Sequence, residues 1–218
     1  MKKLFFVLLA LSMTYASVMA QDLEEGYGPE PGELLIEITG TPFVGSSLLN
    51  FGMFRARYLV SYVVVPRVGV YMDINNSSST PDLVTNNSTY MIAPGVEFHL
   101  QNEGKFRSFV AVDALAGMKN TSLRSTTGPS VVGATSRPSS NNQNLSNRGY
   151  MQVGANVGFG ADYHFNSRFY IGMEVGLQLI RQMNSEITVD GELYQESTIS
   201  NFGSVNTSNS FRIGFKLL

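Results

Sequence analysis

The sequence predicts an all-β chain, an eight-stranded antiparallel up-and-down transmembrane β-barrel with a polar, plugged lumen. Three observations lead there. Eight segments alternate apolar and polar residues with the period of a strand, and the connections between them alternate short and long. The polar faces also carry glycine, which weakens a strand whose polar side merely meets water and so needs a reason.

Before the first segment, residues 1–20 read as an export signal: Lys2 and Lys3, an apolar run too short to span a bilayer as a stable helix, then Val18-Met19-Ala20 as a cleavage site. Residues 21–32, "QDLEEGYGPEPG", are expected to form an acidic periplasmic tail, with the barrel over 33–218. Zero Cys excludes a lipoprotein signal, a disulfide framework and thiolate chemistry. Past the leader no apolar run approaches the roughly 20 residues of a membrane helix, so only a barrel could span. Charged residues are 15% of the chain and the formal charge is −2, a balance that points to no polyanion and no nucleic acid.

The segments follow in order. In 33–41, Leu34, Ile36 and Ile38 share one face and Glu37 the other; in about 50–61, Phe54, Ala56, Tyr58 and Val60 oppose Met53, Arg55, Arg57 and Ser61. In about 65–74, Pro66, Val68, Val70, Met72 and Ile74 oppose Arg67, Gly69, Tyr71 and Asp73. The fourth, about 89–100, sets Ile92, Val96 and Phe98 against Gly95, Glu97 and His99; the fifth, about 106–118, sets Val110, Val112, Ala114 and Ala116 against Asp113 and Gly117. "GYMQVGANVGFGADYHF" (149–165) is apolar at every second residue from Met151, with Asp162 and His164 between. "FYIGMEVGLQLI" places Glu174 among glycines, and "SFRIGFKLL" ends the chain with Arg212, Gly214 and Lys216 opposite Phe211, Ile213 and Phe215.

Short connections follow the second, fourth and sixth segments. Long polar ones, "NNSSSTPDLVTNN", 119–147 and about 182–204, follow the third, fifth and seventh. Outer-membrane barrels have short periplasmic turns and long outer loops, and this pattern puts both termini in the periplasm. Apolar-face aromatics gather at the expected periplasmic ends: Tyr58, Tyr62, Phe98, Phe106, Phe159, Tyr163, Phe165, Phe169 and Phe215, as an interfacial girdle would require.

An eight-stranded barrel is narrow enough for side chains to fill, so glycine makes room for larger neighbours. The expected lumen network comprises the acids Glu37, Asp73, Glu97, Asp113, Asp162 and Glu174, the cations Arg55, Arg57, Arg67, Arg212 and Lys216, and His99 and His164. Near balance of sign suits a closed network, because an unpaired buried charge costs several kcal/mol. The histidines beside Glu97 and Asp162 could bind a metal or move protons, but at that depth they read as members of the plug. No zinc motif, P-loop or nucleophile elbow occurs, so no catalytic residue, metal or cofactor is expected.

Eight strands, an export signal and the terminal "FRIGFKLL" resemble the small outer-membrane barrels of the OmpA and OmpX type. More narrowly, "IEITGTPF", "FRARYLVSYVVVPRVGVYM" and "IAPGVEFHLQNEGKFRSFVAVDALAG" resemble the outer-membrane β-barrel domain of Bacteroidota. The resemblance implies a bacterial outer-membrane protein in contact with lipid and lipopolysaccharide, not an enzyme. Its motifs identify a fold rather than an activity; the outer loops, mostly Ser, Thr, Asn and Gly with few aromatics, are a poor hot-spot surface, so a subunit or accessory of an envelope assembly such as type IX secretion or barrel-assembly machinery is expected. The alternatives are a free-standing structural or surface-binding barrel and, more remotely, a lipid-modifying barrel enzyme.

Overall fold

The computed structural model describes residues 28–44, 47–80, 82–138, 145, 147–206 and 211–217, and every helix or strand assigned among them is a strand. The expected leader, 1–20, and residues 21–27 of the expected tail lie outside the described residues. Twelve strands follow in order: β1 Leu34–Val44, β2 Ser47–Tyr58, β3 Val64–Thr80, β4 Leu83–Glu103, β5 Phe106–Ser125, β6 Val131–Val132, β7 Tyr150–His164, β8 Phe169–Asn184, β9 Ile187–Val189, β10 Glu192–Gln195, β11 Thr198–Asn206 and β12 Phe211–Lys216.

Eight of these, β1 to β5 with β7, β8 and β12, pair antiparallel in sequence around a closed barrel. Closure is the β1–β12 ladder, from Leu35 opposite Lys216 to Gly40 opposite Phe211. A shift in the β1–β2 register between Ile38 and Gly40 is bridged by Thr39. Its Oγ1 accepts from the Met53 backbone N–H at 3.0 Å and donates to the Met53 carbonyl at 3.1 Å, replacing ladder bonds that the bulge removes.

Two of the three polar stretches expected as loops, 75–87 and 182–204, are largely strand, and the third, 119–147, holds the end of β5 and the short β6. β3 and β4 stay paired up to Thr80 opposite Leu83, β5 runs on to Ser125, and 182–204 contains β9, β10 and most of β11. Alternation of apolar residues reports burial against an apolar phase; it stops at Ile74 and Tyr90 although the backbone ladder does not, because Asn, Ser and Thr pair as well in water. β11 and β12 both pair with β8, Asn206 facing Gly176 and Phe211 facing Met173.

The wall is uneven in height. β2 and β3 share only four rungs, Phe54 opposite Val70 to Arg57 opposite Arg67, and above them β3 pairs with β4 alone. On the tall side, β5, β6, β9 and β10 continue the sheet as a cap. Its small core is Leu123, Val131, Ala134, Leu145 and Ile187, flanked by Leu83 and Val189. The β9–β10 connection, Asp190-Gly191, has φ of 52° and 88°, the two positive values that a tight two-residue hairpin requires.

Polarity is inverted relative to a sandwich. The outward face is apolar and exposed, with Met173, Leu177 and Leu179 at 59%, 64% and 67%, while the charges point in. The nine girdle aromatics are all exposed on this surface, and near the turn end Phe165 stacks on Phe169 at 5.5 Å while meeting Tyr163 edge to face at 5.2 Å.

Candidate functional site: the charged interior

Strand alternation delivers the interior. With Leu34, Ile36 and Ile38 turned out, Leu35, Glu37 and Thr39 turn in; the same parity brings Arg55 and Arg57 from β2, Arg67 from β3, Glu97 and His99 from β4, Asp113 from β5, Asp162 and His164 from β7, Glu174 from β8 and Arg212 from β12. All of these are buried.

They form one lattice. Glu37 meets Arg55 at 3.0 Å, Arg57 at 3.6 Å and Arg212 at 3.8 Å, and also accepts from the Tyr170 hydroxyl at 2.7 Å. Glu97 lies against Arg57, with Arg67 at 2.7 Å and Arg212 at 3.2 Å. Arg212 also reaches Asp162 at 2.6 Å and Glu174 at 3.5 Å, and Arg57 reaches Asp162 at 3.0 Å. Arg67 presents its fork to Glu174 at 2.8 and 2.9 Å, with Nε and Nη2 on Asp113, both at 2.7 Å. These links cross the barrel, β2 to β7 and β3 to β8, so the charges brace walls that share no ladder. Dense pairing is what makes burial tolerable, since each ion removed from water costs several kcal/mol unless attraction and hydrogen bonds return it.

Glycine now has its reason. A Cβ at Gly172 would sit 2.7 Å from Arg212 Nε, and one at Gly158 would sit 2.8 Å from Glu174 Oε1. Above the lattice a cavity of about 30 Å³, lined by Arg55, Asp113, Asn156, Glu174 and the thioethers of Met53 and Met91, has room for about one water. The Asn156 Oδ1 beside it has no partner among the described residues.

Two residues named from the sequence stand apart. Lys216 pairs with Glu33 at the turn end instead of Glu37, because strand tilt places it opposite Leu35. Asp73 is exposed, beyond the last β2–β3 rung at Phe54 and Val70. His99 Nε2 lies 3.3 Å from both Glu97 Oε2 and Arg57 Nη2, and His164 packs on the Tyr170 ring at 5.1 Å. Among the described residues no group of three His, Asp or Glu side chains could hold a metal ion.

The network expected from the sequence omits Arg107, Tyr170 and Phe109. Arg107 is buried, and its Nη1 donates to the Pro29 carbonyl at 3.0 Å where residues 28–33 cross the turn end. Phe109 supplies a ring face to Arg212 at 4.1 Å. All three have inward parity, Arg107 and Phe109 with Asp113 and Tyr170 with Glu174, so the signal was present.

The geometry defines a class: a closed eight-stranded antiparallel β-barrel whose interior is a balanced charge lattice. No protein-family model matches the chain, and a search of curated proteins found no match either.

Proposed function

We propose that the chain is an integral outer-membrane barrel, exported by residues 1–20, whose lumen is closed and which serves as a non-enzymatic subunit or accessory of a cell-envelope assembly. The observation that carries the membrane reading is the inverted polarity: Met173, Leu177 and Leu179 exposed outward while Glu37, Glu97 and Arg212 are buried inside. Contiguous apolar surface of that extent marks a membrane or protein interface. The likeness to OmpA- and OmpX-type barrels and to the Bacteroidota outer-membrane domain supports the same reading, as does the aromatic girdle.

The test is electrophoretic. Membrane-extracted protein should migrate faster unheated than boiled, as a compact detergent-resistant barrel does; recovery from the soluble periplasmic fraction would overturn the assignment. Co-purification from mild-detergent extracts then examines the assembly role, and a barrel that emerges alone under several detergents speaks against it.

One observation favours a second reading, a free-standing contact protein. The cap is a folded sheet rather than loose loops, and its edge strand β10 exposes Leu193 and Tyr194. An ordered surface with an aromatic anchor can bind where a polar loop would not.

The closed lumen is tested by conductance. In planar bilayers the wild type should pass no steady current. The Arg67→Ala, Glu174→Ala double variant removes a cross-lumen pair while keeping charge balance and should open a measurable path. A wild-type barrel that conducts steadily would refute closure.

A further inference from the structure

Asp73 and Lys119 are inward charges that the lattice leaves unused. Asp73 has the parity of Arg67 on β3, and Lys119 has that of Asp113 on β5. Both lie beyond an apolar layer that roofs the lattice, Met53, Ala93 and Leu115 with Tyr71, Met91 and Ile180 packed against them. Past this layer the inward positions fall into two successive rungs. One runs Asp73, Thr89, Lys119, Tyr150, Asn184 and Thr198 across β3, β4, β5, β7, β8 and β11. The next, on the first three of these strands, is Asn75, Asn87 and Thr121. On the β3 side the rungs stand open, because beyond Val70 that strand pairs with β4 alone, and Asp73 and Asn75 are exposed.

The first rung is dipolar. Among the described residues neither Asp73 nor Lys119 belongs to an ion pair; Lys119 Nζ bonds the neutral Asn147 Oδ1 and lies 6.0 Å from the centre of the Tyr150 ring. The second rung is unsatisfied. Asn87 Oδ1 and Thr121 Oγ1 are buried atoms with no hydrogen-bond partner among the described residues, and Thr121 is only 6% exposed. These two residues are direct cross-strand neighbours on the inward face. A buried oxygen without a donor is costly, so two adjacent ones call for a guest that donates.

We propose that the two rungs bind a short zwitterionic peptide, its ammonium at Asp73 and its carboxylate at Lys119. Two strand spacings separate β3 from β5, about 10 Å in all. An extended tripeptide spans about the same distance. Its ammonium and amide N–H groups supply the donors that Asn87 Oδ1 and Thr121 Oγ1 lack, and its two end charges cancel against one acid and one cation. A neutral sugar would satisfy the two oxygens but leave both charges without a partner, and an anionic ligand would meet Asp73 with like charge. The inference goes beyond the assembly role given above and needs the barrel fold alone.

Titration of the full-length barrel in maltoside detergent with trialanine, followed by saturation-transfer NMR, tests the site. Three further probes isolate its parts: N-acetyl-trialanine lacks the ammonium, trialanine amide lacks the carboxylate, and maltotriose is an uncharged trisaccharide. Wild type should bind trialanine saturably and each capped peptide about threefold more weakly, the weight of one solvated ion pair. Asp73→Asn should bind trialanine and its N-acetyl form alike while still discriminating against the amide, and Lys119→Gln should show the reverse pattern. Glu192→Gln, a change at an exposed acid on β10 outside both rungs, should bind as wild type. A variant that had merely unfolded would lose all binding rather than one preference, and far-ultraviolet circular dichroism of the same samples identifies it. Absence of saturable binding to the wild type, equal affinity for free and capped peptides, or tighter binding of maltotriose would overturn the proposal.

Discussion

Arg212→Met should lower barrel stability by about 3–5 kcal/mol, the scale for stripping one partner from a buried ion pair. The side chain is fully enclosed and faces four carboxylates, Asp162 at 2.6 Å, Glu97 at 3.2 Å, Glu174 at 3.5 Å and Glu37 at 3.8 Å. Methionine replaces the aliphatic stem but removes the guanidinium over the Phe109 ring and leaves those acids one cation short. Adding Asp162→Asn should recover part of the loss, because residues in one network are nonadditive. Coupling of Arg212 to Glu37 should be weaker, since that contact is the longest of the four. The chain has no Trp, so urea unfolding in lipid vesicles is best followed by far-ultraviolet circular dichroism. A loss below about 1 kcal/mol, typical of solvated surface pairs, would mean that the interior is wet and the lattice ornamental.

Met173→Arg comes next, with an expected cost of about 2–4 kcal/mol or outright failure to assemble, the depth-dependent cost of a cation on the lipid face. Met173 is 59% exposed and its rung neighbours are Ala161 and Phe211, so an arginine there finds no counter-ion. The readout is the folded fraction after dilution from urea into vesicles. Normal folding yield would show that this surface meets water and would take the membrane assignment with it. Gly172→Arg, one residue away, should fail for the opposite reason, because even a Cβ there crowds Arg212.

Much of this molecule is legible in its sequence because two faces of every wall strand obey opposite rules. Alternation placed Glu37, Arg57, Glu97, Asp162 and Arg212 inside without any coordinates. Between neighbouring strands it also brings Glu37 to Arg55, Arg57 and Arg212, but it did not reveal which acid meets which arginine across the lumen, because those partners depend on strand stagger. Strand ends were illegible for a different reason. Above Tyr90 both faces of β4 meet polar surroundings, so the two-residue signal disappears while the hydrogen bonds persist. The cap was hidden because its few apolar residues, Leu123, Val131, Leu145 and Ile187, are far apart in sequence and meet only in the fold.

The ladder that closes the barrel joins residues near opposite ends of the chain, Leu35 with Lys216 and Gly40 with Phe211. Such a contact has a very large sequence separation, for which loop-closure entropy favours late formation. Until β12 docks, the buried acids Glu37, Glu97, Asp113, Asp162 and Glu174 have only Arg55, Arg57, Arg67 and Arg107 for company. The fifth arginine, Arg212, travels on the closing strand itself. An unfinished barrel therefore carries two defects at once, an unpaired strand edge and an excess negative charge, and a single docking event removes both. Electrostatics thereby favours closure: the half-formed sheet attracts its own last strand, and a chain lacking β12 stays open and short of one buried cation.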